Sequence, residues 1–208
     1  MRVLIACEFS GIVRDAFIAA GHDAVSCDLL PSERPGPHIQ GDVLRVLADG
    51  WDLMIAHPPC TYLASSGARW WPGREELQRE ALAFVRRLMD APIPHIAIEN
   101  PVGAIGTHIR KADQIIQPFM FGDPYMKTTC LWLTGLPQLT PTNIVWGREQ
   151  KCWKESPGPE RAKNRSRTYP GIARAMAGQW GSPSGLLLPG LFTLADYSGR
   201  GAGASVLS

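Results

Sequence analysis

The sequence predicts an α/β fold, with a largely parallel central sheet flanked by helices. Three observations carry this reading. Short apolar runs recur along the chain: "RVLIACEF", "DAVSCDLL", "WDLMIAHPP" and "PHIAIENP". Segments with helical spacing lie between them, and strands that alternate with helices tend to pair in parallel. A length of 208 residues with 45% hydrophobic content is enough to bury one core.

Taken in order, Arg2 to Phe9 reads as a buried strand. "SGIVRDAFIAAGH" places Val13, Phe17 and Ala20 near helical spacing, with Gly21 as the stop. "DAVSCDLL" is a second strand ending near Asp28, and "PSERPGPHIQGD" is rich enough in Pro and Gly to be a loop. "WDLMIAHPP" is a strand running into a turn. "GREELQREALAFVRRLMDA" is the clearest helix, with Leu77, Ala81, Phe84, Val85 and Leu88 on one stripe. "PHIAIENP" is a strand closed by a carboxylate, and "TTCLWLTG" is a further strand. From Pro137 to Asn164 the chain is Pro-rich and irregular, after which "SRTYPGIARAMAGQWG" resumes a helical pattern. One domain is expected over residues 1–184. The Gly-, Ser- and Pro-punctuated residues 185–208 read as a flexible tail.

Composition narrows the function classes. The net charge of +2 neither demands nor excludes a polyanion partner. Five cysteines stand without a C-x-x-C pair, and no signal-peptide pattern is present, so reduced thiols in the cytoplasm are expected. The same spacing, with no helical histidine pair, makes a metal site an expected absence. No apolar run approaches the length of a membrane span.

Ligands of parallel sheets gather beyond the carboxyl ends of the strands. Phe9 to Gly11, Asp28, Asp42, Cys60 and Glu99 all fall there, so a site is expected at that edge. Each has a plain alternative. Gly11 in "EFSGIV" lets the backbone approach a ligand, or simply makes a tight turn. Asp28 can hold ribose hydroxyls, or be an exposed strand-end aspartate. Asp42 can accept from an adenine amine, or cap the "VLRVLA" segment. Cys60 follows two prolines that fix the direction of its thiol. It is a nucleophile if cations depress its pKa, and inert otherwise. Glu99 closes an apolar strand, so it needs a partner. A raised pKa would let it give a proton to a heterocycle; the alternative is a glutamate bound by amides of the next turn. Trp70, Trp71 and Trp153 can stack on bases or serve as packing residues.

Together these pieces resemble the cytosine-carbon-5 DNA methyltransferase family, from the N-terminus to about Leu133 and again near "TYPGIARAMAGQW". "FSG" is similar to the family's cofactor loop, Asp28 to its ribose ligand, and "GDV" at Gly41 to Val43 to its adenine-contacting segment. "PPC" with Ser65 and Ser66 resembles the catalytic Pro-Cys loop, and "ENP" the Glu-Asn motif. The resemblance implies a Rossmann-like S-adenosylmethionine-dependent methyltransferase fold. It implies Cys60, Glu99 and Asn100 as catalytic residues. Phe9, Ser10, Gly11, Asp28, Asp42 and Pro59 would bind the cofactor S-adenosylmethionine; Ser65, Lys127, Arg165 and Arg167 would bind cytosine-containing DNA. In this chemistry a thiolate adds to carbon 6, which makes carbon 5 able to attack a sulfonium methyl, on a base taken out of the stack.

The chain departs from the family at three places. Ile12, Val13 and Arg14 stand where further glycines are usual, and Arg14 can narrow the cofactor pocket or meet a phosphate. In "FGDPYMKTTCLWLTG", Lys127 and Thr129 replace two arginines that help hold the catalytic loop and the base, and Tyr125 replaces a glutamine. "NRSR" (Asn164 to Arg167) can supply the missing cations or be a solvated loop. With Arg110, Lys111 and Lys163, its arginines are the expected phosphate contacts. The segment between Leu133 and Thr168 is too short for a target-recognition module, as in compact phage and prophage members. Specificity is then low, or comes from a protein partner, or the substrate is not a long duplex. Two other readings follow: a methyltransferase-like protein that binds nucleic acid or cofactor without turnover, and an enzyme acting on a free pyrimidine nucleotide. An amino-methyltransferase ranks low, because its "[DN]PP[YFW]" loop needs an aromatic where Cys60 stands.

Overall fold

In the computed structural model, residues 1–149, 158 and 160–182 are described. Seven strands form one sheet: β1 (Arg2–Ala6), β2 (Asp23–Asp28), β3 (His38–Gln40), β4 (Leu53–Ala56), β5 (His95–Asn100), β6 (Gln114–Ile116) and β7 (Thr129–Thr134). Their order across the sheet is β3-β2-β1-β4-β5-β7-β6. The first five pair in parallel, whereas β7 runs antiparallel to both β5 and β6. The sheet is therefore mostly parallel, as the alternation of elements predicts.

Alternate strand residues feed two cores. Val3, Ile5, Leu53, Ile55 and Ala97 face α1 (Ile12–Ala19) and the C-terminal helix α5 (Pro170–Trp180). Leu4, Ala6, Met54, Ala56 and Ile98 face α2 (Glu75–Met89) and the short α3 (Ala104–His108). A further short helix, α4 (Arg161–Ser166), precedes α5. Full burial of side chains this size is worth about 1.5–3 kcal/mol each, and the period of two places one residue on each face.

Several local expectations shift. The buried stripe of α2 is Leu82, Val85 and Leu88; Leu77 lies one turn too early and is 41% exposed. The Pro- and Gly-rich loop contains the three-residue edge strand β3. Asp42 caps a single 3-10 turn, Val43–Arg45, rather than a longer helix. Arg14 is fully buried: its guanidinium donates to Asp15, to the Ser26 and Ser32 hydroxyls and to the carbonyls of Arg34 and Pro35. It ties the loop after β2 onto α1 and cannot meet a phosphate. Among the described residues, no helix is long and apolar enough to cross a membrane.

Candidate active site

Strand order reverses between β1 and β4, which lie side by side while their chain connections lead to opposite wings of the sheet. The crevice at the carboxyl ends of such strands is where open α/β sheets bind ligands. The turn after β1 carries Phe9, Ser10 and Gly11, and the turn after β4 carries Pro59 and Cys60. Asp28 ends β2, Asp42 follows β3, and Glu99 and Asn100 end β5. Because β7 is antiparallel, its start puts Lys127 and Thr129 at the same edge.

The Cys60 turn is fastened to the end of β5 from several sides. Asn100 donates through Nδ2 to the Pro58 carbonyl at 2.8 Å. Ala64 bridges Gly103, the Ser65 amide donates to the Val102 carbonyl at 2.9 Å, and the Ala104 amide donates to the Leu63 carbonyl at 2.7 Å. The Cys60 carbonyl accepts from the amides of Leu63 and Ala64, which closes the turn behind the two prolines. Cys60 itself is exposed, as are Pro59 and Ser65.

Glu99 is 8% exposed, and its Oε2 lies 2.9 Å from His57 Nδ1. Burial alone would raise its pKa, but Lys127, then His57 and the Thr129 hydroxyl, outweigh burial and hold it below the usual carboxylate range. The single Thr129 proton is directed at the Lys127 carbonyl, 3.0 Å away, so Lys127 and His57 carry most of this effect. Glu99 is thus a carboxylate held by a side chain from the neighbouring strand. It is neither a protonated donor nor a glutamate bound by the next turn. Cys60 responds to the same groups. Desolvation, then the Glu99 charge, raise its thiol, while Lys127 and Arg165 lower it. The net shift is upward although the residue is exposed. Sulfur, carboxylate, lysine and Arg165 therefore share one electrostatic neighbourhood.

The other wing is acidic. Asp28, half-buried, accepts from the Leu30 amide at 2.9 Å, and its pKa is raised by burial against the pull of that bond, His38 and His57. Asp42 is exposed and accepts from the Leu44 amide at 3.0 Å. Glu8 is buried and fills the start of α1. One oxygen accepts from the Val13 amide at 2.7 Å and the Ser10 hydroxyl at 3.0 Å, and the other accepts from the Arg14 amide at 3.2 Å. A negative charge already occupies the end of the helix that favours anions, so a dinucleotide pyrophosphate has no place there. Gly11 is left-handed (φ 71°), and a Cβ on it would press on the Arg14 guanidinium. Cys7, beside Asp28 and Asp42, adopts φ 58°, unusual for a side-chain-bearing residue, and burial and those carboxylates push its thiol up.

Most of the expected phosphate contacts are already engaged. Arg167 grips Glu33 with two nitrogens at 2.7 and 2.9 Å, and Lys163 meets Glu33 at 3.0 Å. The Arg167 bond first, with Lys163, holds Glu33 down to about 2. Both cations also lie over the Phe9 ring, at 5.4 and 6.0 Å. Lys127 Nζ donates to the Arg167 carbonyl at 3.3 Å, linking this clasp to the Cys60 side. Arg110 pairs with Asp113 and the Leu133 carbonyl, level with the start of β5 and so remote from the site edge. Trp71 is half-buried against the core. The Trp70 side chain, Trp153 and residues 185–208 lie outside the described residues.

Sequence reasoning missed His57 and Glu8. The register pairs Ala56 with Ile98, so residues 57 and 99 leave the sheet as neighbours. Two adjacent strands that each end in a titratable residue were the available signal. A shallow hollow lined by Phe121, Asn143, Gly171 and Arg174 holds none of the candidate residues.

No family model matches the chain, and no curated protein matches it. Among solved structures, the chain is similar to a candidate DNA modification methyltransferase encoded within an E. coli prophage. The two are 16% identical, with a TM-score of 0.48, over 76% of this chain and 55% of that one. This chain thus spans little more than half the length of that protein, and a likeness at this level identifies neither family nor chemistry.

Proposed function

We propose that this protein is an S-adenosylmethionine-dependent methyltransferase of the DNA cytosine-carbon-5 type, with residues 1–184 as its catalytic domain. The observation that supports the reading is that Cys60 and Glu99 follow and end neighbouring strands at one edge of the sheet, with the Cys60 turn tied by Asn100, next to Glu99, through the Pro58 carbonyl. Cys60 loses its proton to water, and the thiolate Sγ forms a bond to carbon 6 of the pyrimidine as the 5,6 double bond opens, which makes carbon 5 nucleophilic. Glu99, as a carboxylate, accepts from the exocyclic amine on the opposite edge, with Asn100 fixing the Cys60 turn. After carbon 5 has gained its methyl group, water takes the carbon-5 proton, the 5,6 double bond reforms, the Sγ–carbon bond breaks and the thiolate returns.

The acidic wing fits the cofactor by the chemistry of its groups. Asp28 and Asp42 accept from hydroxyls and an amine, and the Glu8-filled helix start disfavours phosphates but tolerates a cation such as a sulfonium. When bound, the cofactor supplies an electrophilic methyl group. Phe9, Ser10, Gly11 and Pro59 shape the same crevice, while Ser65, Lys127 and Arg165 flank the substrate side. Arg167 and Lys163, two of the expected phosphate contacts, are committed to Glu33, and a protein partner would supply specificity on DNA.

Transfer of labelled methyl groups from S-adenosylmethionine to unmodified DNA tests this. Incorporation is expected with the wild type and absent with Cys60→Ser. A 5-fluorocytosine duplex should trap a covalent adduct only when Cys60 is present. The raised Cys60 thiol favours a second reading, binding without turnover. Cofactor and DNA binding with neither label nor adduct would establish that reading instead. Label on dCMP but not on DNA would assign a free nucleotide as the substrate.

A further inference from the structure

One buried side chain at this edge has no role in the chemistry above. The His57 side chain is 8% exposed, its Nδ1 lies 2.9 Å from Glu99 Oε2, and its Nε2 is buried with no hydrogen-bond partner among the described residues. The backbone beneath it is fixed, since the His57 amide donates to the Ala6 carbonyl at 2.9 Å. An ionised carboxylate only accepts, so the proton in the short contact belongs to Nδ1. The ring therefore directs Nδ1 at Glu99 and leaves Nε2 buried with no partner among the described residues. A ring held only by packing would have no reason to accept that arrangement.

The surroundings explain why a histidine is needed. Thr129 also lies beside this carboxylate, but its hydroxyl serves the Lys127 carbonyl. Lys127 carries charge but no planar fork, and its Nζ also donates to the Arg167 carbonyl. We propose that His57 is the positioning residue for Glu99, its Nδ1–H holding Oε2 so that Oε1 remains for the pyrimidine. This rests on the reading of Glu99 as the group that holds the base. It gives the first residue of the "HPPC" turn, just past the neighbouring strand, the task of holding the Glu99 carboxylate.

Two measurements test it. Long-range proton–nitrogen spectra of histidine-labelled wild type, with His57 assigned through His57→Asn, should show the Nδ1-protonated tautomer. A bare Nδ1 with a protonated Nε2 would overturn the proposal whatever the activity. Adduct formation on a 5-fluorocytosine duplex is the second readout. His57→Ala should slow it by about 10–100-fold, the usual toll of losing an orienting partner, with duplex affinity little changed. His57→Asn, which keeps an N–H near the Nδ1 position, should recover most of the rate. An adduct rate for His57→Ala close to that of the wild type refutes the inference, and if His57→Ala does not fold, His57→Asn and the spectra still decide. If the wild type forms no adduct, it is the pyrimidine reading that fails, and the tautomer still reports whether His57 holds Glu99.

Discussion

A thiol attacks only in its ionised form, and at Cys60 the surroundings pull against each other. Desolvation and Glu99 raise it, while Lys127 and Arg165 lower it. The balance makes the resting thiol a weak nucleophile. A pyrimidine whose exocyclic amine donates to Glu99 would offset one of the two opposing influences, so ionisation is expected to improve on substrate binding. The signs can be checked without substrate. The rate of Cys60 alkylation by iodoacetamide, followed by mass spectrometry from pH 6 to 11, should rise with pH and reach its midpoint above that of a free thiol. Glu99→Gln removes a nearby negative charge and should move the midpoint down. Lys127→Gln should move it up. An unchanged midpoint in Glu99→Gln would separate the two groups and remove the basis of the proposed chemistry.

At the scale of elements, the site depends on how the Cys60 turn is fastened to the end of β5. Gly103 is the tightest point. Its backbone is extended (φ 167°), so glycine is needed there for space alone, and a Cβ would collide with the Leu63 carbonyl oxygen. Gly103→Ala should cost about 1–3 kcal/mol, as overpacking generally does. Gly106→Ala, in α3 with open space around it, should be neutral or slightly stabilising. Thermal unfolding of both variants decides; an unaffected Gly103→Ala would show that the two loops are free to part.

The same elements show what was legible in advance. β1, β4 and β5 could be read because strands buried on both faces are nearly continuous apolar runs. β3 could not, because an edge strand of three residues needs only a partner's backbone and leaves no pattern. Of the α2 stripe, Val85 and Leu88 are buried and Ala81 and Phe84 pack against the core, but Leu77 was included and Leu82 missed, because Leu77 lies four residues before Ala81 and only packing against α3 and β5 turns the buried side toward Leu82. Cys60 and Glu99 were legible as types at strand ends. The contact of Glu99 with His57 was not, because it arises from the register of two parallel strands, which no local pattern records.

The whole molecule divides labour across the point where β1 and β4 part. One wing offers carboxylates at Glu8, Asp28 and Asp42, and the other carries the thiol with Lys127 and Arg165. This polarity matches a cationic cofactor on the first side and an electron-rich ring on the second, and it makes a prediction about stability that needs no turnover. A ligand that binds only the folded state stabilises it by RT ln(1 + [L]/Kd), about 2.7 kcal/mol at a hundredfold excess over Kd. For a domain of this size that corresponds to a rise in Tm of about 5–10 °C. S-adenosylmethionine and S-adenosylhomocysteine should both produce it, and NADH at equal concentration should not, because the Glu8 carboxylate occupies the helix start that its pyrophosphate would need. Asp28→Asn keeps an oxygen for the Leu30 amide and so should fold normally, yet it removes the charge facing the ribose and should shrink the shift. A Tm indifferent to S-adenosylhomocysteine at millimolar concentration would leave the acidic wing without its ligand. Equal shifts in the wild type and Asp28→Asn would place the ligand elsewhere on the fold.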